Sequence, residues 1–315
     1  MRVVVTDPNL LPLQAEFESL LPKATESIWL PDDLLGALRT ADVLVGPVFT
    51  QEMADAAQRL RLVQVAGAGT DRIEASGVPV ANTYHHEDSI AEYIVWALIG
   101  LRRELPAADA ALRRNQWRSN VYNPSIPQPD TLGSARVGFL GFGHIGRATW
   151  RLLQAFGAQA QAVTASGRAD AAGLNWAGDT SRLDRLLDES DTLVVSAPLT
   201  DTTRGIIGAA ELERLGPDGV LVNVARGPLV QQQPLYDALR DRTIRAAALD
   251  VWYSYPKAGD HAAPADVPFG ELDNVLLTPH LSGITRETFR GRIEDIAANL
   301  HALADGNELR NVVRH

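Results

Sequence analysis

The chain has no cysteine, which excludes disulfides, thiolate metal sites and cysteine nucleophiles. It has no excess of positive charge either. With 29 Lys and Arg against 39 Asp and Glu, the formal net charge is -10, which argues against a polyanion-binding surface and makes nucleic acid an unexpected partner. No apolar run approaches the length of a membrane span, and Met1-Arg-Val-Val-Val-Thr-Asp7 enters directly into a strand, so a cytoplasmic protein with no membrane partner is expected. Internal repeats at a fixed period are absent too. What remains is a globular composition, 45% apolar and 22% charged, over 315 residues, enough for two domains with separate cores.

Short apolar strands alternate with amphipathic helical stretches, the pattern of α/β folds with parallel sheets. One series runs from Val3-Val-Val5 through Val43-Leu-Val45 and Leu62-Val-Gln-Val65 to Val78-Pro-Val80. A second runs from Arg136 through Thr192-Leu-Val-Val-Ser196 and Gly219-Val-Leu-Val-Asn-Val224 to Val275-Leu-Leu-Thr278. Between them lie a helical stretch over about 89–103, a second helical piece, and a polar, proline-rich segment over 119–131 that reads as a crossing between domains.

The most specific local signal is Val137-Gly-Phe-Leu-Gly-Phe-Gly-His-Ile-Gly-Arg147, where a buried strand turns into a helix. Gly141 permits the tight turn, Gly143 lets a dinucleotide pyrophosphate approach the backbone, and Gly146 lets the helix pack close to its strand. The helix N-terminus then faces the phosphates. At the end of the next strand such sites carry an acid that binds the adenosine ribose; here Thr164, Ser166 and Arg168 stand there, and the first acid after Gly146 is Asp170. A hydroxyl and a guanidinium suit a 2′-phosphate, so NADP(H) is expected to be preferred, with NAD(H) possible; the alternative is that Arg168 is only a solvated loop residue.

Three further polar residues close buried strands: Arg226 in Asn223-Val-Ala-Arg-Gly-Pro-Leu-Val230, Asp250 in Ala248-Leu-Asp-Val-Trp252, and His280 in Leu277-Thr-Pro-His280. Ligands of open α/β sheets sit at the carboxyl ends of strands, so their convergence marks a catalytic edge.

From about residue 60 to about residue 290 the chain resembles the D-isomer-specific 2-hydroxyacid dehydrogenases, in particular the glyoxylate/hydroxypyruvate reductases. The resemblance rests on ordered motifs: Gly67-Ala-Gly-Thr-Asp71, Ser89-Ile-Ala-Glu-Tyr93, the glycine-rich turn, Leu186-Leu-Asp-Glu-Ser-Asp191, Ala197-Pro-Leu-Thr-Asp-Thr-Thr203, Val224-Ala-Arg-Gly227, Leu249-Asp-Val251 and Thr278-Pro-His280. It implies a discontinuous flavodoxin-like substrate domain over 1–100 and 284–315 and a Rossmann domain over 101–283. It also implies an oxidoreductase interconverting a 2-keto acid and a D-2-hydroxy acid. Arg226 would hold the substrate carboxylate and polarise the keto oxygen, amides near Ala68 and Gly69 would take the carboxylate's other side, and His280 would be the general acid and base. Asp250 would orient the nicotinamide carboxamide, while His144, Ile145, Pro198 and Thr203 would complete the cofactor cradle. The resemblance further implies a homodimer.

One position departs from the family. A glutamate usually stands five residues after the aspartate of the Asp-Val pair, and here Asp250-Val-Trp-Tyr-Ser-Tyr-Pro256 puts Tyr255 there. A phenol in place of a carboxylate predicts that His280 loses its proton at lower pH. Three readings follow: Tyr255 orients His280 in a keto-acid reductase; the chemistry needs no proton transfer, as in the formate dehydrogenases of this superfamily; or the chain is a nucleotide-sensing binding module. Elsewhere, adjacent His85 and His86 point apart on an extended chain with no ligand cluster, so no metal is expected, and Trp96 and Trp150 are expected to pack on helical faces.

Overall fold

In the computed structural model, which describes residues 1–74, 76–256 and 259–313, the contacts divide the chain into two units. One is Met1–His86 with Ile284–His315, the other Glu87–Gly283. The first division thus falls at 86/87, where the sequence pointed to about 100. The reason is the helix Glu87–Arg102, whose buried Ile90, Ile94, Leu98 and Leu101 recur at helical spacing and join the core of the second unit. Arg102 at its end is 5% exposed and donates to Asp191 at 2.6 Å and Thr192 at 3.1 Å, which ties the helix to that unit's sheet. A buried guanidinium is tolerable only with such partners.

The first unit holds β1 (Arg2–Val5), β2 (Glu26–Trp29), β3 (Val43–Val45), β4 (Leu62–Gln64), β5 (Val80–Ala81) and β13 (Val312–Val313), in the spatial order β13-β5-β4-β3-β1-β2. All pairings are parallel except that of β13 with β5. Successive side chains face opposite layers. Val3, Val5, Val43 and Val45 meet Ile293, Ile296 and Leu300 of the helix Arg286–Asp305, while Val4, Leu44 and Val63 meet Leu38, Phe49 and Met53. That two-sided burial explains strands that read as unbroken apolar runs.

The second unit holds β6 (Arg136–Leu140), β7 (Gln159–Val163), β8 (Ala177–Gly178), β9 (Thr192–Val195), β10 (Val220–Asn223), β11 (Ala246–Leu249) and β12 (Val275–Leu277). Its order is β12-β11-β10-β9-β6-β7-β8, all parallel. The chain moves from β6 to β7 on one side and then to β9 on the other, so the topology switches direction at the carboxyl end of β6. The two orders are those of flavodoxin-like and Rossmann folds, and both sheets belong to the α/β class expected from the sequence.

β2, β8 and β13 were not expected. Each lies at or beside a sheet edge, is only partly buried, and lacks the apolar run that marks a central strand. Of the two tryptophans expected to pack, Trp150 is 4% exposed and donates to the Ala172 carbonyl at 3.0 Å, but Trp96 is 54% exposed and its expected burial is corrected. Among the described residues no helix is long and apolar enough to cross a membrane.

Candidate active site

Gly141 follows β6 at φ +89°, in the left-handed region that favours glycine. A Cβ there would stand 2.5 Å from the Ala197 amide nitrogen, so the turn and the end of β9 close on each other only because the side chain is missing. The Ser196 hydroxyl donates to the Gly141 carbonyl at 2.9 Å and fixes that approach. Gly143 is the N-cap of the helix His144–Phe156 and makes no side-chain cap; a Cβ on it would meet nothing within 4 Å, which leaves the helix start open. Gly146 is buried, with its absent Cβ 3.2 Å from the Gly141 carbonyl and the Phe142 ring. The first amides of a helix lack intrahelical acceptors and carry partial positive charge, and His144 and Ile145 are the first residues of this one. An uncapped helix start behind an open glycine fits the pyrophosphate of a dinucleotide.

After β7 the chain makes a tight turn in which the Thr164 hydroxyl donates to the Arg168 carbonyl at 3.0 Å and the Arg168 amide donates to Ser166 Oγ at 3.3 Å. The turn leaves Ser166 and Arg168 exposed. After β9, the Thr203 hydroxyl donates to the Pro198 carbonyl at 2.7 Å and accepts from the Thr200 amide at 2.8 Å, so Thr203 shapes the Pro198 loop from within.

The other half of the same edge is built from β10, β11 and β12, three neighbouring strands that carry Arg226, Asp250 and His280 just beyond their carboxyl ends. Arg226 is half-buried; its backbone carbonyl accepts from the Asn223 side chain at 3.0 Å, and its guanidinium donates to the Ala225 carbonyl at 2.8 Å. The following Gly227 is obligatory, because a Cβ there would lie 2.4 Å from the Trp252 carbonyl oxygen. His280 is exposed and adopts φ +58°, a conformation that costs a side-chain-bearing residue about 1–2 kcal/mol. Tyr255 stands beside it with ring centroids 5.7 Å apart, while the Tyr255 hydroxyl accepts from the Trp252 amide at 3.1 Å.

Asp250 is fully buried, and both its oxygens are engaged within the chain. One accepts from the Thr278 hydroxyl at 2.7 Å and the Leu281 amide at 2.8 Å; the other accepts from the Ser282 amide at 3.0 Å and the Ser282 hydroxyl at 2.5 Å. The Thr278 carbonyl accepts from the Trp252 indole at 2.8 Å and the His280 amide at 3.0 Å. Behind Thr278 stands Tyr93, whose hydroxyl lies 2.8 Å from Thr278 Oγ1. Burial, with a contribution from Asp250, pushes the Tyr93 phenol up to about 12 against a smaller opposing effect from Thr278. Tyr93, Thr278, Ser282 and Gly227 were not assigned roles from the sequence. Tyr93, Thr278 and Gly227 lie inside recognised motifs, whereas nothing local distinguishes Ser282.

In the first unit, Ala68 and Gly69 lie in the loop after β4, where the Ala68 carbonyl accepts from the Asn82 side chain at 3.0 Å and the Gly67 carbonyl accepts from the Thr83 amide at 3.2 Å. His85 pairs with Asp295 at 2.8 Å, and His86 is buried. Among the described residues no group of three or more His, Asp or Glu side chains is arranged to hold a metal ion.

A doubly wound parallel sheet with a glycine turn at its switch point and Arg, Asp and His on neighbouring strand ends defines a dinucleotide-binding α/β protein. A family model described as D-isomer specific 2-hydroxyacid dehydrogenase, NAD binding domain, matches residues 95–282, and the chain belongs to that family. It is 29% identical to a D-3-phosphoglycerate dehydrogenase of Methanocaldococcus jannaschii over 99% of this chain but 59% of that protein, so it spans little more than half of that relative's length. It is also 29% identical to a glyoxylate reductase of Thermofilum pendens, over 96% of this chain and 90% of the relative. Among solved structures, an NADPH-dependent glyoxylate/hydroxypyruvate reductase of Sinorhizobium meliloti, in complex with NADP and malonate, superposes with a TM-score of 0.79 at 28% identity, covering 99% of this chain and 96% of that one.

Proposed function

We propose that this chain is a 2-keto acid reductase of the glyoxylate/hydroxypyruvate type that prefers NADPH and forms a D-2-hydroxy acid. The observation that carries the reading is the row of Arg226, Asp250 and His280 beyond three neighbouring strands, on the same edge as the open glycine turn. A reduced nicotinamide dinucleotide, when bound, supplies the hydride. Arg226 holds the substrate carboxylate and polarises the keto oxygen, with Ala68 and Gly69 amides as further carboxylate ligands. Protonated His280 gives its proton to the oxygen as negative charge develops there. Gly141, Gly143, His144, Ile145 and Gly146 hold the pyrophosphate, and Pro198 and Thr203 line the cofactor. Tyr255 acts as the neutral neighbour of His280.

The preference for NADPH is supported by the end of β7, where Ser166 and Arg168 are exposed and can offer a hydroxyl and a guanidinium to a 2′-phosphate. A homodimer follows from the family resemblance, and exposed Trp96, Leu112, Val121, and Trp117 with Tyr122, whose ring centroids are 5.3 Å apart, are apolar surface of the second unit that a second copy would cover. Sedimentation equilibrium at twice the chain mass would agree with this, and a monomer would refute it.

The test of function follows NADPH and NADH oxidation at about 340 nm, where the reduced nicotinamide absorbs, with glyoxylate, hydroxypyruvate, pyruvate and phenylpyruvate, and runs formate with the oxidised cofactors alongside. Turnover of a keto acid with a higher kcat/KM for NADPH is expected. Activity with formate alone, or cofactor binding without any turnover, would overturn the reading.

A further inference from the structure

The turn after β7 lies against the turn after β8. The Thr164 amide donates to the Gly178 carbonyl at 2.9 Å, and Gly167, at φ +70°, comes so close that a Cβ on it would stand 3.4 Å from the Asp179 amide nitrogen. Two charged residues follow on the β8 side. Asp179 accepts from the Ser181 amide at 3.0 Å and the Ser181 hydroxyl at 2.6 Å, which caps the short turn Thr180–Arg182. Those two bonds, with the charge of Arg182, outweigh desolvation and hold the Asp179 carboxyl below its ordinary value, so it is an anion at neutral pH. Arg182 lays its stem along the end of β8, where a Cβ on Gly178 would meet the Arg182 Cγ at 2.9 Å. Arg182 is exposed, as is Arg168, and among the described residues no acceptor is hydrogen-bonded to either guanidinium. Arg185, one turn further on, is by contrast engaged: it donates to Glu189 at 2.8 Å, and its guanidinium carbon lies 4.5 Å from the centre of the Trp176 ring.

We infer that Arg182 is a second ligand of the cofactor's 2′-phosphate, reaching it from the β8 turn, and that Asp179 sets how strongly the site favours that phosphate. A phosphate monoester carries about two negative charges. Bound by Ser166 and Arg168 it would feel the Asp179 carboxylate, because the Asp179 backbone touches Gly167, the residue between those two. With Arg168 alone, the side-chain charges of the two turns cancel. A second guanidinium makes the site positive, and two planar forks can share the three phosphate oxygens where one cannot fill them. The small Gly178 is what lets the Arg182 stem lie flat at the strand end instead of being pushed outward. The inference rests on the NADPH reading of the β7 turn and adds to it a residue from a different strand end.

The experiment uses the full chain and titrates it calorimetrically with 2′,5′-ADP and with 5′-AMP, two probes that differ only by the 2′-phosphate. The variants are Arg182→Gln, which keeps most of the stem and removes the charge, Arg168→Ala, and Asp179→Asn, whose side-chain oxygen can still cap the turn. Arg182→Gln is expected to weaken 2′,5′-ADP about 10-fold and to change the 5′-AMP Kd by less than about 2-fold. Its 2′,5′-ADP affinity should also fall less steeply with added salt, since one charge contact is gone. Asp179→Asn should tighten 2′,5′-ADP about 3-fold and leave 5′-AMP alone. If Arg168→Ala weakens 2′,5′-ADP while Arg182→Gln does not, Arg168 acts alone and the inference is wrong, with the NADPH reading intact. Equal losses of both probes in Arg182→Gln would also overturn it, because the side chain would then serve the turn and not the phosphate. A wild type that binds the two probes equally overturns the NADPH preference and this inference together. Should Arg182→Gln fail to fold, Arg182→Lys, which keeps the charge but loses the fork, is read in the same way, with a loss of about 3-fold for 2′,5′-ADP expected. None of these titrations needs turnover, so an absence of keto-acid reduction would leave the outcome readable.

Discussion

The two halves of one sheet edge are built by opposite means. At β6 and β9 the chain makes its site by removing side chains: Gly141 admits the Ala197 backbone, and Gly143 leaves the helix start bare. At β10, β11 and β12 it makes its site by adding them, with a buried carboxylate, two hydroxyls, an indole and a phenol converging under one exposed histidine. The first half needs only backbone shape, which suits a group common to all dinucleotides. The second half needs side-chain direction, which is what the proposed proton transfer to one oxygen would require.

This contrast is broken most severely at Gly141. Gly141→Ala puts a side chain into the left-handed region and against the Ala197 backbone, and the sum of strain and overlap is expected to cost about 3 kcal/mol of stability. Thermal unfolding would read it, and a change below about 1 kcal/mol would mean that the turn yields easily. Arg168→Ala comes next: NADPH binding should weaken by about 1.5–3 kcal/mol, the scale of a charged hydrogen bond, with NADH nearly untouched. Equal losses for both cofactors would return Arg168 to the status of a solvated loop residue.

At the half proposed to be catalytic, Tyr255→Glu puts a carboxylate beside the His280 ring, which now has a tilted phenol 5.7 Å away. The neutral-side limb of kcat/KM for keto-acid reduction should move upward by about one pH unit or more, because a nearby negative charge favours imidazolium. An unmoved limb would show that Tyr255 does not face the titrating group. The smallest effect is a control far from either half. Burial pushes the Asp42 carboxyl up, but the Arg2 amide at 2.7 Å and the Arg59 guanidinium at 2.9 Å outweigh it and hold the group below its ordinary value. A depressed folded-state pKa stabilises the chain above the ordinary carboxylate value and loses that stability as pH falls through the folded value. With Arg59 largely solvated, Asp42→Asn should cost about 1 kcal/mol at neutral pH and flatten the acid limb of unfolding below about pH 4, with the NADPH Kd unchanged.

Legibility in the sequence follows the same divide. Gly141, Gly143 and Gly146 were readable because a tight turn constrains residue type locally, and Arg226, Asp250 and His280 because each closes an apolar strand. The edge strands β2, β8 and β13 were not, since a half-buried strand of two to four residues has no pattern to read. The helix Glu87–Arg102 was found but given to the wrong side of the division, because its apolar stripe says that it packs and not on what. Trp96 was misjudged for the same reason: helical spacing alone did not separate the covered face from the exposed one.

By itself, then, the sequence determined the α/β class, the glycine turn with its helix, and which polar residues end the central strands, since all of these follow from local dihedral limits and from apolar periodicity. Only the tertiary structure decided which donors reach Asp250, and that Tyr93, 185 residues before Thr278, stands behind it. Those depend on hydrogen bonds between residues far apart in the chain, whose partners are chosen by packing and leave no periodic trace.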